Sequence, residues 1–138
     1  MEQVVRENIM NVLYILMRTD MDSLNPGKAM AQASHASNAL VYRWGKENIV
    51  KEWQGETQQG FGTVLVLGVT GDELYNVVEK VNEDLRFKQD VYSDIIHDPT
   101  YPVQDGEVVH HIPVDTCGYV FGDTDSLEDL LGEYELHI

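Results

Sequence analysis

A short, uninterrupted apolar run near the start of the chain constrains the fold more than any other feature. Residues 11–17 read Asn-Val-Leu-Tyr-Ile-Leu-Met and are followed by Arg18. A run of this length is typical of a strand buried on both faces, whereas a helix that crosses a membrane needs about 20 apolar residues. The run therefore predicts an interior strand with covering layers on both sides, and we expect no membrane span.

Helix signals alternate with strand signals along the rest of the chain. Asn25 suits an N-cap and Pro26 the first helical position, which predicts a helix over residues 26–44. The capping-box spacing at residues 70–73 predicts a second long helix. The other predicted elements are strands at 61–69, 90–97 (stopped by Asp98-Pro99), 108–114 and 117–121, a closing helix at 123–134 and a loop at 45–62. This alternation predicts one layered α/β domain over residues 1–138.

Lys28, Gln32 and His35 form a narrow polar stripe on the first predicted helix. At about 100° per residue they lie within roughly 60° of one another, flanked by small alanine side chains. We expect the stripe to face away from the core and the opposite side to pack on the sheet, namely Met30, Ala33, Ser37, Leu40, Val41 and Trp44. Because the first turn of a helix has unpaired amides and a positive dipole, Gly27 and Lys28 predict an anion site, with an ordinary solvated face as the alternative.

The charge is strongly negative and unevenly distributed. The chain has nine Lys and Arg residues against 24 Asp and Glu residues, a formal net charge of −15. Six of the nine basic residues, including Arg6, fall in residues 1–51, where the net charge is +1, whereas residues 52–138 carry −16. Because Lys and Arg supply most of the affinity for phosphate, any polyanion must dock on the first third of the chain. The alternative is that the acidic remainder only keeps the protein soluble.

Two further kinds of site are suggested by single residue types, and the sequence pattern disfavours both. His97, Asp98, His110 and His111 are candidate metal ligands, but adjacent strand residues face opposite sides and no usual zinc-ligand spacing is present. Cys117 is a candidate nucleophile, but nothing in the sequence places a histidine beside it. We therefore expect no metal site and no organic cofactor. The single cysteine and the absence of a signal-like start predict a reducing, cytoplasmic compartment.

Two motifs near the start of the chain resemble those of a known enzyme family. Residues 17–20 read Met-Arg-Thr-Asp, and residues 27–36 read Gly-Lys-Ala-Met-Ala-Gln-Ala-Ser-His-Ala. With the acidic helix, the strand ending in Asp98 and the last strand reaching Gly122, this pattern is similar to the peptidyl-tRNA hydrolase 2 family over most of the chain. The resemblance implies a three-layer α/β/α domain with a mixed, mainly four-stranded sheet. It also implies hydrolysis of the ester between peptide and tRNA in peptidyl-tRNA, which recycles the tRNA.

The resemblance also implies roles for residues of this chain. Lys28, His35, Asp98 and Thr100 match catalytic positions, although the changed spacing after Asp98 leaves open whether Thr100 replaces the family's threonine. Asp98 would orient a water, His35 would accept or relay its proton, and Lys28 would hold a phosphate or the developing negative charge. The positions matched to substrate binding are Arg18, Gly27, Gln32, Ser34 and Thr116, with Cys117 as the alternative to Thr116. The implied partner is peptidyl-tRNA, and a homodimer is one alternative for the assembly.

The chain departs from the family pattern at the predicted site. Pro26 stands where the family usually has a second lysine, and residues 99–102, Pro-Thr-Tyr-Pro, replace a segment that contains an arginine. A polar stretch at residues 104–107 predicts a longer hairpin. These changes leave open a second function, a catalytically reduced module of the same fold that binds RNA or protein. The enzyme is favoured if Lys28 and Asp98 converge on one pocket, and the binding module if the hairpin covers Lys28.

Overall fold

The computed structural model describes residues 10–87 and 89–137, so that Arg6 and Lys88 lie outside the described residues. The strands are β1 (Asn11–Arg18), β2 (Val64–Val69), β3 (Tyr92–Asp105) and β4 (Val108–Asp123). The helices are α1 (Pro26–Trp44), α2 (Asn48–Gln54), α3 (Gly71–Glu83) and α4 (Thr124–Leu131), with a short 3₁₀ turn at Leu85–Phe87. None of the helices in this described part combines the length and apolar character that crossing a bilayer requires.

The four strands form one mixed sheet in the order β2-β1-β4-β3. β1 pairs with β2 in parallel and with β4 in antiparallel fashion, and β3 pairs with β4 in antiparallel fashion. β1 is therefore interior to the sheet, as its uninterrupted apolar run predicts. Its side chains are buried on both faces, including Leu13 and Leu16.

Helices cover both faces of the sheet, which confirms the three-layer α/β/α class. On one face, α3 and α4 contribute Leu74 and Leu127 to a core that also contains Leu16 of β1. On the other face, α1 and α2 contribute Leu40 and Trp53 to a second core cluster. The sheet is thus the middle layer, and α1 is the helix that lies nearest to the predicted site residues.

The starts of the two long helices confirm the capping predictions. Asn25 accepts a hydrogen bond on Oδ1 from the Lys28 amide, and Pro26 occupies the first turn of α1. Thr70 and Glu73 form a reciprocal capping box at the start of α3. Such caps satisfy amides that have no partner within the helix and are typically worth about 1 kcal/mol each.

The prediction that the strand at residues 90–97 is stopped by Asp98-Pro99 is wrong, because β3 continues to Asp105. Proline is tolerated there because β3 is an edge strand and its pairing with β4 is irregular between Asp98 and Tyr101. The two predicted strands at 108–114 and 117–121 are in fact the single strand β4. Together β3 and β4 form the longer hairpin predicted from the polar stretch at residues 104–107, since that stretch contains the turn.

The predicted loop at residues 45–62 contains the short helix α2, whose Val50 and Trp53 are buried against the sheet. The predicted orientation of α1 is confirmed in part, because Leu40 is buried and Ala33, Val41 and Trp44 pack against the core. It is wrong for Met30, which is 69% exposed, and for the stripe, because the buried residues of α1 also include Ala29, Gln32 and Ala36. The small alanine side chains let this side of α1 lie against the sheet, and the buried Gln32 amide has polar partners, so the stripe borders the core instead of pointing away from it.

Candidate active site

An irregularity in the β3–β4 pairing determines where Thr116 points. Ile96 pairs with Cys117 and His97 pairs with Asp115, so Thr116 is an extra residue on β4 with no partner on β3. Cys117 packs in the core cluster beneath α1, and the hydroxyl of its neighbour Thr116 also contacts α1. In a regular strand, neighbouring side chains face opposite sides. The bulge therefore directs Thr116 towards the α1 face, a way of redirecting a side chain that is common near active sites.

Gln32 connects Thr116 to Asp98 through its side-chain amide. The Thr116 hydroxyl donates to Gln32 Oε1 at 2.7 Å, and Gln32 Nε2 donates to Asp98 Oδ2, also at 2.7 Å. Both Gln32 and Thr116 are buried. Because one amide atom only accepts and the other only donates, these two partners fix the orientation of the amide.

Asp98 is held as an ionised carboxylate by donors on both oxygens. Oδ2 accepts a hydrogen bond from Gln32 Nε2. Oδ1 accepts a hydrogen bond from the Thr100 amide at 2.9 Å, and the Thr100 hydroxyl lies 3.5 Å from the same oxygen. Burial by itself would raise the pKa of Asp98, but the hydrogen bonds from Gln32 and Thr100 and the nearby His35 together lower it below its ordinary value. Asp98 is therefore ionised at neutral pH.

Lys28 lies one helical turn before Gln32 and reaches the same segment of β3. Its Nζ donates to the Pro102 carbonyl at 2.6 Å and lies 5.1 Å from the centre of the Tyr101 ring. Tyr101 is buried, and its hydroxyl pairs with Ser23 Oγ at 3.2 Å. Lys28 and Asp98 thus project onto one face of the sheet within residues 98–102. The Pro102 carbonyl, at the base of the hairpin, therefore accepts a hydrogen bond from one of the three N–H groups of the ammonium.

The start of α1 offers less to an anion than the sequence predicts. Pro26 has no N–H, the Lys28 amide donates to the Asn25 side chain, and the Ala29 amide donates to the Asn25 carbonyl at 2.8 Å. Gly27 is exposed at this point. An anion at the helix start would therefore interact with the Gly27 amide and the Lys28 ammonium, and not with a full set of free amides.

An open groove of about 570 Å³ runs between α1 and β3 beside Asp98, and Lys28 is not among the residues that line it. His35 lines it from the helix, and Asp98 and Thr100 line it from the strand. His35 is exposed. The groove therefore brings a basic ring and an ionised carboxylate to a space that is open to solvent.

Two of the predicted substrate-binding residues do not join this group. Arg18 lies near α3, where its Nε bonds Asp20 Oδ1 at 2.9 Å and its Nη1 donates to the Asp115 carbonyl. Asp20 also accepts the Gly71 amide at the start of α3, and its pKa is lowered to about 2, chiefly by the Arg18 hydrogen bond. Ser34 is exposed and lies about 120° around α1 from Lys28, away from the groove.

The residues of the disfavoured alternatives are dispersed. His97 Nδ1 lies 2.7 Å from Asp115 Oδ1, which faces away from α1, and His110 and His111 lie further out on the hairpin. Within residues 10–87 and 89–137, no group of three or more His, Cys, Asp or Glu side chains could hold a metal. Cys117 is buried, and burial raises its pKa to about 12, so the thiol remains protonated.

Sequence reasoning missed Tyr101 and Pro102 as the contacts of Lys28. No local signal could have identified them, because the contact joins residues 74 positions apart and depends on β3 continuing beyond Pro99. The burial of Gln32 was missed for the same reason, since its partners lie on β3 and β4.

Comparison with protein families supports the resemblance. A family model described as Peptidyl-tRNA hydrolase PTH2 matches residues 11–104, which is more than half of the chain. This range includes Lys28, Gln32, His35, Asp98 and Thr100, whereas Thr116 lies beyond it. A search of curated proteins finds no match to this chain.

Proposed function

The chain belongs to the PTH2 family of peptidyl-tRNA hydrolases, and we propose that it hydrolyses the ester joining a peptide to the terminal ribose of its tRNA, in the cytoplasm. The observation that carries this proposal is the Asp98 carboxylate, which is kept ionised by Gln32 and Thr100 and opens onto a groove that His35 also lines. Lys28 projects onto the same segment of β3. We propose that these residues act together on one substrate.

Ester hydrolysis needs a positioned water, a group that accepts its proton and donors for the oxyanion that forms. In this proposal Asp98 orients the water, because each of its oxygens keeps a lone pair beyond the bond already made. His35, on the other wall of the groove, accepts the proton from the water as its oxygen attacks the ester carbonyl carbon. Collapse of the tetrahedral intermediate breaks the bond to the ribose oxygen, which takes up a proton and leaves as the tRNA hydroxyl.

Lys28 is proposed to hold the tRNA rather than the oxyanion. Two N–H groups of its ammonium remain after the bond to Pro102, and the exposed Gly27 lies beside it. A backbone phosphate near the acceptor end would be held by this cation together with the start of α1. Gln32 and Thr116 contribute by fixing Asp98, so they are positioning residues.

The test is single-turnover release of the N-acetylated amino acid from N-acetylaminoacyl-tRNA, which contains the same ester. Wild-type protein should release the amino acid, and Asp98→Asn should slow the release by about a hundredfold, the usual size of a general-base or water-positioning contribution. Asp129→Asn is the matched control, because Asp129 is exposed on α4 on the far side of the sheet. Equal rates for wild type and Asp98→Asn would refute the role of Asp98, and no release by wild type would refute the enzyme.

The contact between Lys28 and the hairpin favours one second candidate, a module of the same fold that binds tRNA without turnover. The Pro102 carbonyl already accepts a hydrogen bond from the Lys28 ammonium. Residues 52–138 also carry a net charge of −16, which repels the phosphates of tRNA. This candidate predicts that wild-type protein binds deacylated tRNA in a salt-dependent way but releases no peptide. The enzyme predicts both binding and release.

A further inference from the structure

The groove beside Asp98 continues along α1 towards its C-terminal end. A second lobe of about 390 Å³ lies next to the first, lined among others by Tyr42, Arg43 and Asp94. Both lobes share Ala39, Ile95 and Ile96 as lining residues, so they form one continuous channel. We call this channel, from Asp98 to Asp94, the β3 groove.

One wall of the β3 groove is an unpaired strand edge. β3 lies at the end of the sheet, and among the residues that the structure describes it pairs with β4 alone. The Ile95 amide donates to the side chain of Asp94 at 2.8 Å, so a main-chain N–H in this wall already has a carboxylate oxygen as an acceptor. The carbonyl of an added strand is an acceptor for the same kind of donor.

The opposite wall leaves room for an extended chain. Ala39 has a small side chain, and Tyr42 is 94% exposed, which leaves an aromatic ring without a packing role in the fold. Arg43 Nη1 pairs with Asp94 Oδ2 at 2.9 Å, so the charge of the basic residue in this lobe is compensated. The far lobe therefore suits main-chain groups and apolar side chains better than phosphates, whereas Lys28 lies at the other end of α1.

We propose that the β3 groove binds the peptide part of peptidyl-tRNA as an added strand on the outer edge of β3, an inference that rests on the proposed function. The ester at the peptide's C-terminal residue lies at Asp98, and the peptide extends towards Asp94. Since β3 runs from Asp94 to Asp98, the bound peptide is parallel to it. This stretch spans about 13 Å, enough for roughly four peptide residues. A carbonyl of the peptide accepts the hydrogen bond that the Ile95 amide otherwise donates to the Asp94 carboxylate.

The experiment compares two substrates that share one tRNA, one carrying a single N-acetylated amino acid and the other an N-acetylated pentapeptide. Wild-type protein should show the higher kcat/KM on the pentapeptide. Ala39→Trp, which narrows the groove where the two lobes meet, should lower kcat/KM for the pentapeptide at least about tenfold more than it lowers kcat/KM for the single residue. Tyr42→Ala should act in the same direction with little risk to folding, because Tyr42 packs against so little.

Met30→Ala is the control, because Met30 is exposed on the opposite side of α1. Equal losses on both substrates would mean that the groove serves the tRNA or the fold, and would overturn the inference. Unchanged rates for both groove variants would also overturn it. Both of those results leave wild type active, so they are distinct from failure of the proposed function, in which wild type cleaves neither substrate and the inference fails with it.

Discussion

Thr116 donates a hydrogen bond to Gln32 across the interface between the sheet and α1, at 2.7 Å and with both side chains buried. The same Gln32 side chain donates to Asp98. A residue from the extra position on β4 therefore determines how a helix residue presents its amide to the carboxylate on β3. Pairs of this kind are costly to break, because Gln32 Oε1 would lose this donor and the Thr116 hydroxyl would keep only a 3.8 Å contact to Cys117 Sγ.

Gln32→Leu should weaken both the fold and the site. It leaves the Thr116 hydroxyl with only a long contact to Cys117 Sγ, at 3.8 Å, and removes a donor that lowers the pKa of Asp98, so the free energy of unfolding should fall by about 1–3 kcal/mol. The pKa of Asp98 should rise, and the acid limb of the rate profile should move to higher pH. Urea unfolding and single-turnover rates against pH measure the two effects.

Thr116→Val is the matched variant for this prediction. It leaves Gln32 Oε1 without its donor but keeps the Gln32 bond to Asp98, so stability should fall while the acid limb stays near that of wild type. An acid limb that moves equally in both variants would contradict the positioning role of Gln32.

Lys28→Met should affect binding more than turnover. Methionine keeps much of the side chain over Tyr101 but removes the ammonium, so KM should rise about tenfold and the slope of log KM against log salt should fall by about one. Lys51→Ala, on α2, controls for the loss of one positive charge. A fall in kcat at unchanged KM would instead place Lys28 on the oxyanion.

Asp20 should make the stability depend on pH in the acid range. Its pKa is lowered to about 2 from 3.8, chiefly by the Arg18 hydrogen bond, so its contribution is fully present above pH 3.8 and is lost as the pH falls through about 2. The difference in unfolding free energy between wild type and Asp20→Asn should shrink over this window, as measured by urea titrations. Arg18→Met removes the main cause of the lowered pKa of Asp20, so in this background the stability contributed by Asp20 should change over a narrower range of pH. A difference that stays constant with pH would contradict the assignment.

Cys117 should resist alkylation in the folded protein. It is buried with a pKa raised to about 12, so the reactive thiolate is scarce and the sulfur is covered. Iodoacetamide at about pH 8 should label native protein far more slowly than protein unfolded in urea, as read by mass spectrometry. Equal labelling rates would show that this part of β4 opens readily.

The elements that the sequence predicts well are those whose signals are local. The apolar run of β1, the Asn25-Pro26 start of α1 and the capping box at Thr70 each depend on a few neighbouring residues, and each is confirmed. The three-layer class and the mixed four-stranded sheet follow from their alternation and from the family resemblance.

The features that the sequence does not predict depend on distant partners. Gln32 reads as a surface residue by its polarity, and it is buried because residues 66 and 84 positions away bond to it. Pro99 reads as the end of a strand, and the strand continues because it lies at the edge of the sheet. Both cases concern the site itself, where polar residues are held in place by contacts between elements.

β4 is a single strand that runs from the turn at residues 106–107 to the middle of the sheet. Its two ends should therefore differ in how well they tolerate insertions and deletions. Near the turn, deleting one residue of β3 together with the residue of β4 that it faces would shorten the hairpin, and every remaining side chain would stay on the same face of the sheet. Deleting one residue between the turn and Thr116 would exchange inward and outward side chains along that length of β4. Length variation among related chains should therefore accumulate at the tip in even steps, while the segment from Asp115 to Cys117 keeps its spacing.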